Sequence, residues 1–529
     1  MDKNIKISGK ILSRYDEIIS DEALQFIQEI HEKFNNTRLK LVNERKKRQK
    51  AIDGGGKLDF LDETKKIRNA DWKIKSIPKD LLKRQVEITG PPVPKKMFIS
   101  ALNSGADCYM TDFEDSLTPT FDNIMQGQLN IKDAVNKKID FTDQKSGKEY
   151  KLNKKTAVLI IRTRGLHLDE KNATINGEII SGTFFDLGLS LFHHAKKLIT
   201  NGSGPYFYLP KLEHYLECRL LNDVISFCEK KLDLEIGTVK VTVLIETINA
   251  VFQMDEFLWE LKDHIVGLNA GRWDYLFSYQ KVYRNTKKVI LPDRSKVNMF
   301  VPFMSNYNKL LVDTCHKRGA FGMGGMSAQV IAKSNPKEIN EKALAGVKKD
   351  KERELKQGND GAWVAHPSLV EPVKNIFEKN FKGPNQLNKF NNTKINRRDL
   401  LDEPKIENAI SENGVRENLQ EGIEYMAYWL FGTGASVVNY LMADVATCEV
   451  SRAQLWVWLK YEVELDDGRK ISKNLIDKLI AEELNKTKKR VGEEIFKKIP
   501  FEDAAKIFRD MITKDNFDDF LTLSLYEKI

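Results

Sequence analysis

Cysteine is scarce. There are five in 529 residues, Cys108, Cys218, Cys228, Cys315 and Cys448, and none are in Cys-x-x-Cys spacing. That excludes a disulfide scaffold and predicts reduced, mostly buried thiols of an intracellular protein. Long apolar runs are missing, so no segment reaches bilayer-spanning length, and the opening MDKNIKISGK has no apolar signal core. The last residues, Leu525 to Ile529, do not spell the Ser-Lys-Leu peroxisomal address. The expected location is the cytoplasm, with no membrane partner. The eight histidines include no His-Glu-x-x-His, and internal repeats are absent. Charge is not lopsided either. The net +9 comes from Lys and Arg interleaved with Asp and Glu, which suits small anionic ligands such as nucleotide phosphates and does not imply nucleic acid. Asp53 to Lys57 (DGGGK) lacks phosphate-loop spacing, and Gly322-Met323-Gly324-Gly325 lacks the full dinucleotide fingerprint, so both read as turns.

What remains is ordinary enzyme composition, 41% hydrophobic and 30% charged. The length allows one large domain of about 250 residues with smaller ones beside it. The chain is organised around Lys240 to Asp274. A β-branched run, Val239 to Ile245, ends on Glu246, and Val251, Met254, Leu258, Leu261 and Ile265 then recur at helical spacing. A second apolar run, Ile265 to Leu268, leads through a glycine turn to Asp274. Strand, helix, strand on this scale is a βαβ unit with parallel strands. Both carboxylates then leave the C-terminal edge of the sheet, where barrels place their chemistry. Two hard oxygen ligands there suit magnesium better than zinc. The same two acids would also serve as an N-cap glutamate and a loop aspartate, each paired with a nearby cation.

Residues 1 to 90 read as helical, with Ser20 as a cap and Leu24, Ile27, Ile30 and Phe34 as a stripe. Beyond them come eight short apolar runs: Cys108 to Asp115, Ala157 to Gly165, Tyr206 to Pro210, Val239 to Ile245, Ile265 to Leu268, a weaker one near Asn298 to Phe303, Gly319 to Gly325, and Gly361 to His366. Eight β/α repeats predict an α/β fold of the TIM (β/α)8 barrel type. Ile139 to Thr156 and the segment around Asn176-Gly177 read as hairpins on its rim. The organisation expected is an N-terminal helical clasp (1–90), the barrel (91–382), a linker rich in Asn, Lys and Asp (383–415) and a C-terminal all-helical plug (416–529).

Three further groups could carry chemistry. Period-two alternation puts Arg162 and Arg164 on one face at a strand's C-terminal end, suited to stabilising an oxyanion or to closing the barrel with a salt bridge. Glu114 and Asp115, beside Asp112, would orient one of those arginines or pair structurally with it. Asp444 reads as part of an apolar helix with Cys448 and Arg452 on its face, a general base or a partner of Arg452.

These residues lie in blocks that resemble one family. EITGP (Glu87 to Pro91), MTDFEDSLTPTFDN (Met110 to Asn123), RTRGLHLDE (Arg162 to Glu170) and YFYLPKLE (Tyr206 to Glu213) resemble the A-type malate synthases. So do TVLIETINAVFQMDE, VGLNAGRWDY, CHKRGAFGMGGMSA, WVAHPSL and MADVATCEVSRAQLW, in family order from about residue 20 to about 525. The resemblance implies the condensation of acetyl-CoA with glyoxylate and hydrolysis to malate and CoA, in the glyoxylate cycle, by a monomer or small homo-oligomer. It implies Mg²⁺ on Glu246 and Asp274, Arg162 as a catalytic residue, and Asp444 as the base. One departure stands out: the family's usual Glu-Asp is Ala443-Asp444 here, so a charge next to the base is lost. Rival readings are a malyl-CoA or citramalyl-CoA lyase of the same barrel superfamily, and a non-catalytic barrel that binds an acyl-CoA.

Overall fold

The computed structural model describes residues 5–401 and 409–529; the part of the expected linker at 402–408 lies outside the described residues. Eight parallel strands close into a barrel. They are β1 (Val86–Gly90), β2 (Cys108–Asp112), β3 (Val158–Arg162), β4 (Tyr206–Leu209), β5 (Lys240–Ile245), β6 (Ile265–Ala270), β7 (Phe321–Ser327) and β8 (Gly361–Val364), each hydrogen-bonded to the next, with β8 closing on β1. All six residues of β5 and all six of β6 are buried, as expected of strands covered on both faces.

Alternation decides what lines the interior. Cys108 and Met110, Ile160, Tyr206 and Tyr208, Leu244, Val266 and Trp363 form one small buried cluster. Continuing two residues along the same face reaches Asp112 on β2, Arg162 on β3 and Glu246 just past β5. Asp112 and Arg162 are register partners, so the two charges emerge side by side.

Two expectations about strands need correction. The weak run near Asn298 to Phe303 is not a strand: Pro302 opens helix α3 (Pro302–Arg318) and favours the first helical turn. The true first strand is β1, which carries Glu87 into the interior, paired with Arg84 at 2.6 Å and hydrogen-bonded to Trp363. A buried charge hides it from a search for apolar runs. The glycines at 322–325 belong to β7 and not to a turn. A Cβ on Gly324 would lie 2.5 Å from the Glu354 carboxyl carbon, so glycine there lets a neighbouring helix approach the strand.

Helix α1 (Asp21–Asp53), capped by Ser20, lies across two barrel helices, Gly182–Thr200 and Tyr215–Lys231. Both expected hairpins are present, at Asp140–Thr142 with Glu149–Lys151 and at Asp169–Ile175 with Glu178–Ser181, the latter turning at Asn176 and Gly177, both with positive φ. The C-terminal region has its own apolar core, built on α4 (Glu412–Leu430), α5 (Val445–Lys460) and α6 (Phe501–Thr513). It also contains a hairpin, Ser436–Val438 with Leu441–Ala443, which docks on the barrel through Met442 N–H to the Ala328 carbonyl (2.7 Å) and Val330 N–H to the Tyr440 carbonyl (2.9 Å). The region therefore sits over the C-terminal mouth. No helix among the described residues is long and apolar enough to cross a membrane.

Barrel closure itself is testable. A Cβ on Gly361 would lie 1.8 Å from the Arg84 carbonyl oxygen, a backbone atom of the segment leading into β1. Gly361→Ala should cost at least about 2 kcal/mol of stability in denaturant titration, at the upper end for overpacking because backbone cannot yield. Wild-type stability would show that β8 and β1 are not packed as described.

Candidate active site

Glu246 directly follows β5, is 1% exposed, and accepts the Lys211 backbone N–H at 2.6 Å. Asp274 lies in the first turn of α2 (Arg272–Val282), which begins two residues past the end of β6. Asp115 sits in the loop after β2, which Asp112 folds by accepting the Glu114 and Ser116 N–H groups at 2.9 and 3.0 Å. One oxygen from each of Asp115, Glu246 and Asp274 lies within 4.8 Å of the other two. The expected pair of acids thus meets, with Asp115 as a third member. Neither is an isolated cap or loop acid.

Arg162 donates to Asp115 at 2.7 Å, pairs with Glu114, and lies 3.6 Å from both Asp112 and Glu246. Of the two arginines, it is Arg162 that Glu114 and Asp115 contact. Arg164 is a different matter. It is locked by Asp186 at 2.7 Å and Glu170 at 2.8 Å, all three fully buried, and takes the structural role. The strand's alternation alone could not separate the two arginines; their partners do.

Lys211 was not anticipated. Its ammonium lies 2.8 Å from Asp115, 3.1 Å from Glu114 and 3.4 Å from Asp274. It follows Pro210 and has φ +50°, so the period of two that places Glu246 and Arg162 does not extend to it.

Asp444 requires a correction. Leu441–Ala443 is a hairpin strand, and Asp444 is the N-cap of α5, not part of an apolar helix. Its side chain accepts the Thr447 N–H at 3.2 Å while the Thr447 hydroxyl accepts the Asp444 N–H at 3.1 Å, a capping box. Arg452 bonds Glu449 at 2.7 Å, so the alternative of an Asp444–Arg452 pair is overturned. The helix start is pinned to the barrel by Val445 N–H to the Asp115 carbonyl (3.2 Å), which the Tyr425 hydroxyl also reaches (3.1 Å). Ala443 beside it is buried and brings no charge.

The electrostatics follow from burial. Asp115 is buried too, yet Arg162 and Lys211 outweigh that and hold it at about 2. Burial raises Glu246, and raises Asp274 well above the carboxylate range, against the pull of Lys211. Asp444 is pushed up to about 8 by burial and then by Asp115 and Asp274. Its carboxylate is therefore a much stronger base than an exposed aspartate. All of these donors are hard oxygens, and the buried Asp274 Oδ1 has no hydrogen-bond partner among the described residues. The cluster fits a hard divalent cation.

Buried acids in excess over cations, at the catalytic end of a TIM barrel, define the class: a barrel enzyme built around a candidate cation site. The chain belongs to the malate synthase family. It matches "Malate synthase, TIM barrel domain" over 158–403, "Malate synthase, C-terminal" over 409–529 and "Malate synthase, N-terminal domain" over 3–66. A malate synthase of Myxococcus xanthus is 45% identical over 99% of this chain and 96% of its own length. Malate synthase A of Escherichia coli is 43% identical, covering 96% of this chain and 95% of its own. A glyoxysomal malate synthase of Cucumis sativus is 43% identical over 100% of this chain and 94% of its own.

The structural role of Arg164 gives a second test. Asp186→Ala leaves a buried guanidinium short of its main partner and should cost about 3–5 kcal/mol in denaturant titration. A change under about 1 kcal/mol would mean that Arg164 is free for another task.

Proposed function

We propose that this chain condenses acetyl-CoA with glyoxylate and hydrolyses the resulting thioester, releasing malate and CoA, in the cytoplasm. The barrel from β1 to about residue 382 carries the cation and the acceptor, the segment 383–415 connects, and the plug, 416–529, completes the site. The observation that carries this reading is Asp444: the C-terminal region brings a buried carboxylate, on a helix cap pinned to the Asp115 carbonyl, to the side of Asp115 and Arg162.

The acetyl methyl group is a very weak acid, so its proton leaves only if base and oxyanion partner act together. Asp444 takes the proton on its carboxylate. The C–H electron pair moves into the C–C bond, and the thioester carbonyl pair moves onto oxygen. Arg162 meets that oxygen with a guanidinium that stays charged and is aimed by Glu114 and Asp115. The thioester carbonyl then re-forms as the enolate C=C pair bonds to the aldehyde carbon, and the aldehyde π pair moves onto its oxygen, which takes up a proton from water. Water finally adds to the thioester carbonyl and the CoA thiolate leaves. Glu246 and Asp274, with Asp115 beside them, would hold Mg²⁺, which supplies polarisation of the acceptor's aldehyde oxygen when bound. The plug keeps this chemistry dry: Arg162 is 3% exposed and Asp444 8%.

Asp444→Asn should lose about 10²-fold or more in kcat with KM little changed. It should also stop exchange of the acetyl-CoA methyl hydrogens with deuterated solvent, read by NMR beside a non-reacting glyoxylate analogue. Wild-type exchange in that variant would identify a different base. The cation has its own check. Excess EDTA should abolish turnover and added Mg²⁺ restore it, and Glu246→Gln should stay inactive at any Mg²⁺ concentration; full activity in EDTA would overturn the metal assignment.

A further inference from the structure

The acids Glu246 and Asp274 sit on two separate segments, Glu246 in the loop after β5 and Asp274 in the first turn of α2 past β6. Their oxygens come within 4.8 Å of each other, where like charges in a dry site repel strongly. Lys211 offsets part of that repulsion, with its N–H on Glu246 at 2.6 Å and its ammonium 3.4 Å from Asp274, and the backbone on either side fixes the spacing. The loop of Glu246 is tied on both sides to helices that lie beyond β6 in the chain. After Glu246, the Ile248 N–H donates to the Ser278 hydroxyl of α2 at 2.9 Å. Before it, the Ile245 carbonyl accepts the hydroxyl of Tyr307. Tyr307 belongs to α3, which packs on β6 and β7, and its ring lies flat on that of Tyr275, the residue after Asp274. The two ring centroids are 4.1 Å apart at an interplanar angle of 2°, and both residues are 0% exposed. The Tyr275 hydroxyl is buried without a hydrogen-bond partner among the described residues, so Tyr275 contributes its ring alone.

We propose that Tyr307 is a positioning residue for the cation site: its hydroxyl fixes the backbone that carries Glu246, its ring fixes the turn that carries Asp274, and together they set the separation of the two ligands. This rests on the reading of Glu246 and Asp274 as cation ligands. It goes beyond that reading by assigning the ligand spacing to a residue that touches neither the cation nor the substrates.

Calorimetric titration of the full-length protein with MgCl2 tests it. Tyr307→Phe keeps the ring and the packing but loses the tie to Ile245. Its Mg²⁺ affinity should fall about tenfold, the usual scale for support of metal ligands, with the melting temperature little changed. Its KM for glyoxylate should rise more than its KM for acetyl-CoA. Tyr275→Phe, which loses only an unpartnered hydroxyl, should bind Mg²⁺ within about twofold of wild type. Tyr307→Leu loses tie and stack and should bind more weakly than Tyr307→Phe. Wild-type Mg²⁺ affinity in Tyr307→Phe overturns the proposal alone, and so does a Tyr307→Phe protein that fails to fold, since Tyr307 would then be a core residue. A wild-type protein that takes up no Mg²⁺ overturns the metal reading and this proposal with it.

Discussion

Uncompensated negative charge, held out of water at the barrel mouth, is the constraint on which the rest of the site depends. Asp112, Glu114, Asp115, Glu246, Asp274 and Asp444 are all buried there, beside the cations Arg162 and Lys211. Taking a carboxylate out of water is costly unless charge or hydrogen bonds replace the solvent. Asp112 is satisfied by backbone N–H groups, and Asp115 by the two cations. Asp274 has Lys211 at 3.4 Å and Asp444 one backbone N–H, from Thr447, but burial outweighs both and their proton affinities rise. The imbalance does two jobs. In the proposed reaction it would favour a doubly charged hard cation, and it makes the Asp444 carboxylate more basic than an exposed aspartate.

Neither job works with the mouth open. Water would screen the acids and return Asp444 toward an ordinary aspartate. The plug is therefore part of the electrostatics as much as of the fold. It grips the barrel through backbone, with the hairpin strand beside Ala328 to Val330 and the α5 start on the Asp115 carbonyl, and through side chains such as Arg294 on Glu421 and Ser451. Asp444 is placed by its own helix cap, so its position follows from local chain chemistry. Ala443 beside it is buried, carries no charge and leaves that cap intact.

How much of this was legible in the sequence depended on whether a residue obeyed a simple period. Glu246 and Arg162 lie on the inward face of their strands, and counting in twos from apolar neighbours reaches both. Lys211 follows a proline with φ +50°, which breaks the count and hides the second cation. The first strand escapes such a count because Glu87 points inward and is paired with Arg84, so its run does not look apolar. The stretch around Asp444 looks like one apolar helix because hairpin and helix are equally apolar. Only the chain reversal at Asn439 and Tyr440, both with positive φ, separates them. The blocks resembling malate synthases marked Asp444 as a candidate base, and the fold shows its position as a helix cap.

The most direct test of the account is product analysis by proton NMR. The full-length protein is mixed with acetyl-CoA, glyoxylate and Mg²⁺, and both the acid and the thioester products are followed. If a basic Asp444 and a cation-held acceptor meet under the plug as described, malate and free CoA appear in equal amounts. Accumulation of malyl-CoA without free CoA, or recovery of both substrates unchanged, would contradict it.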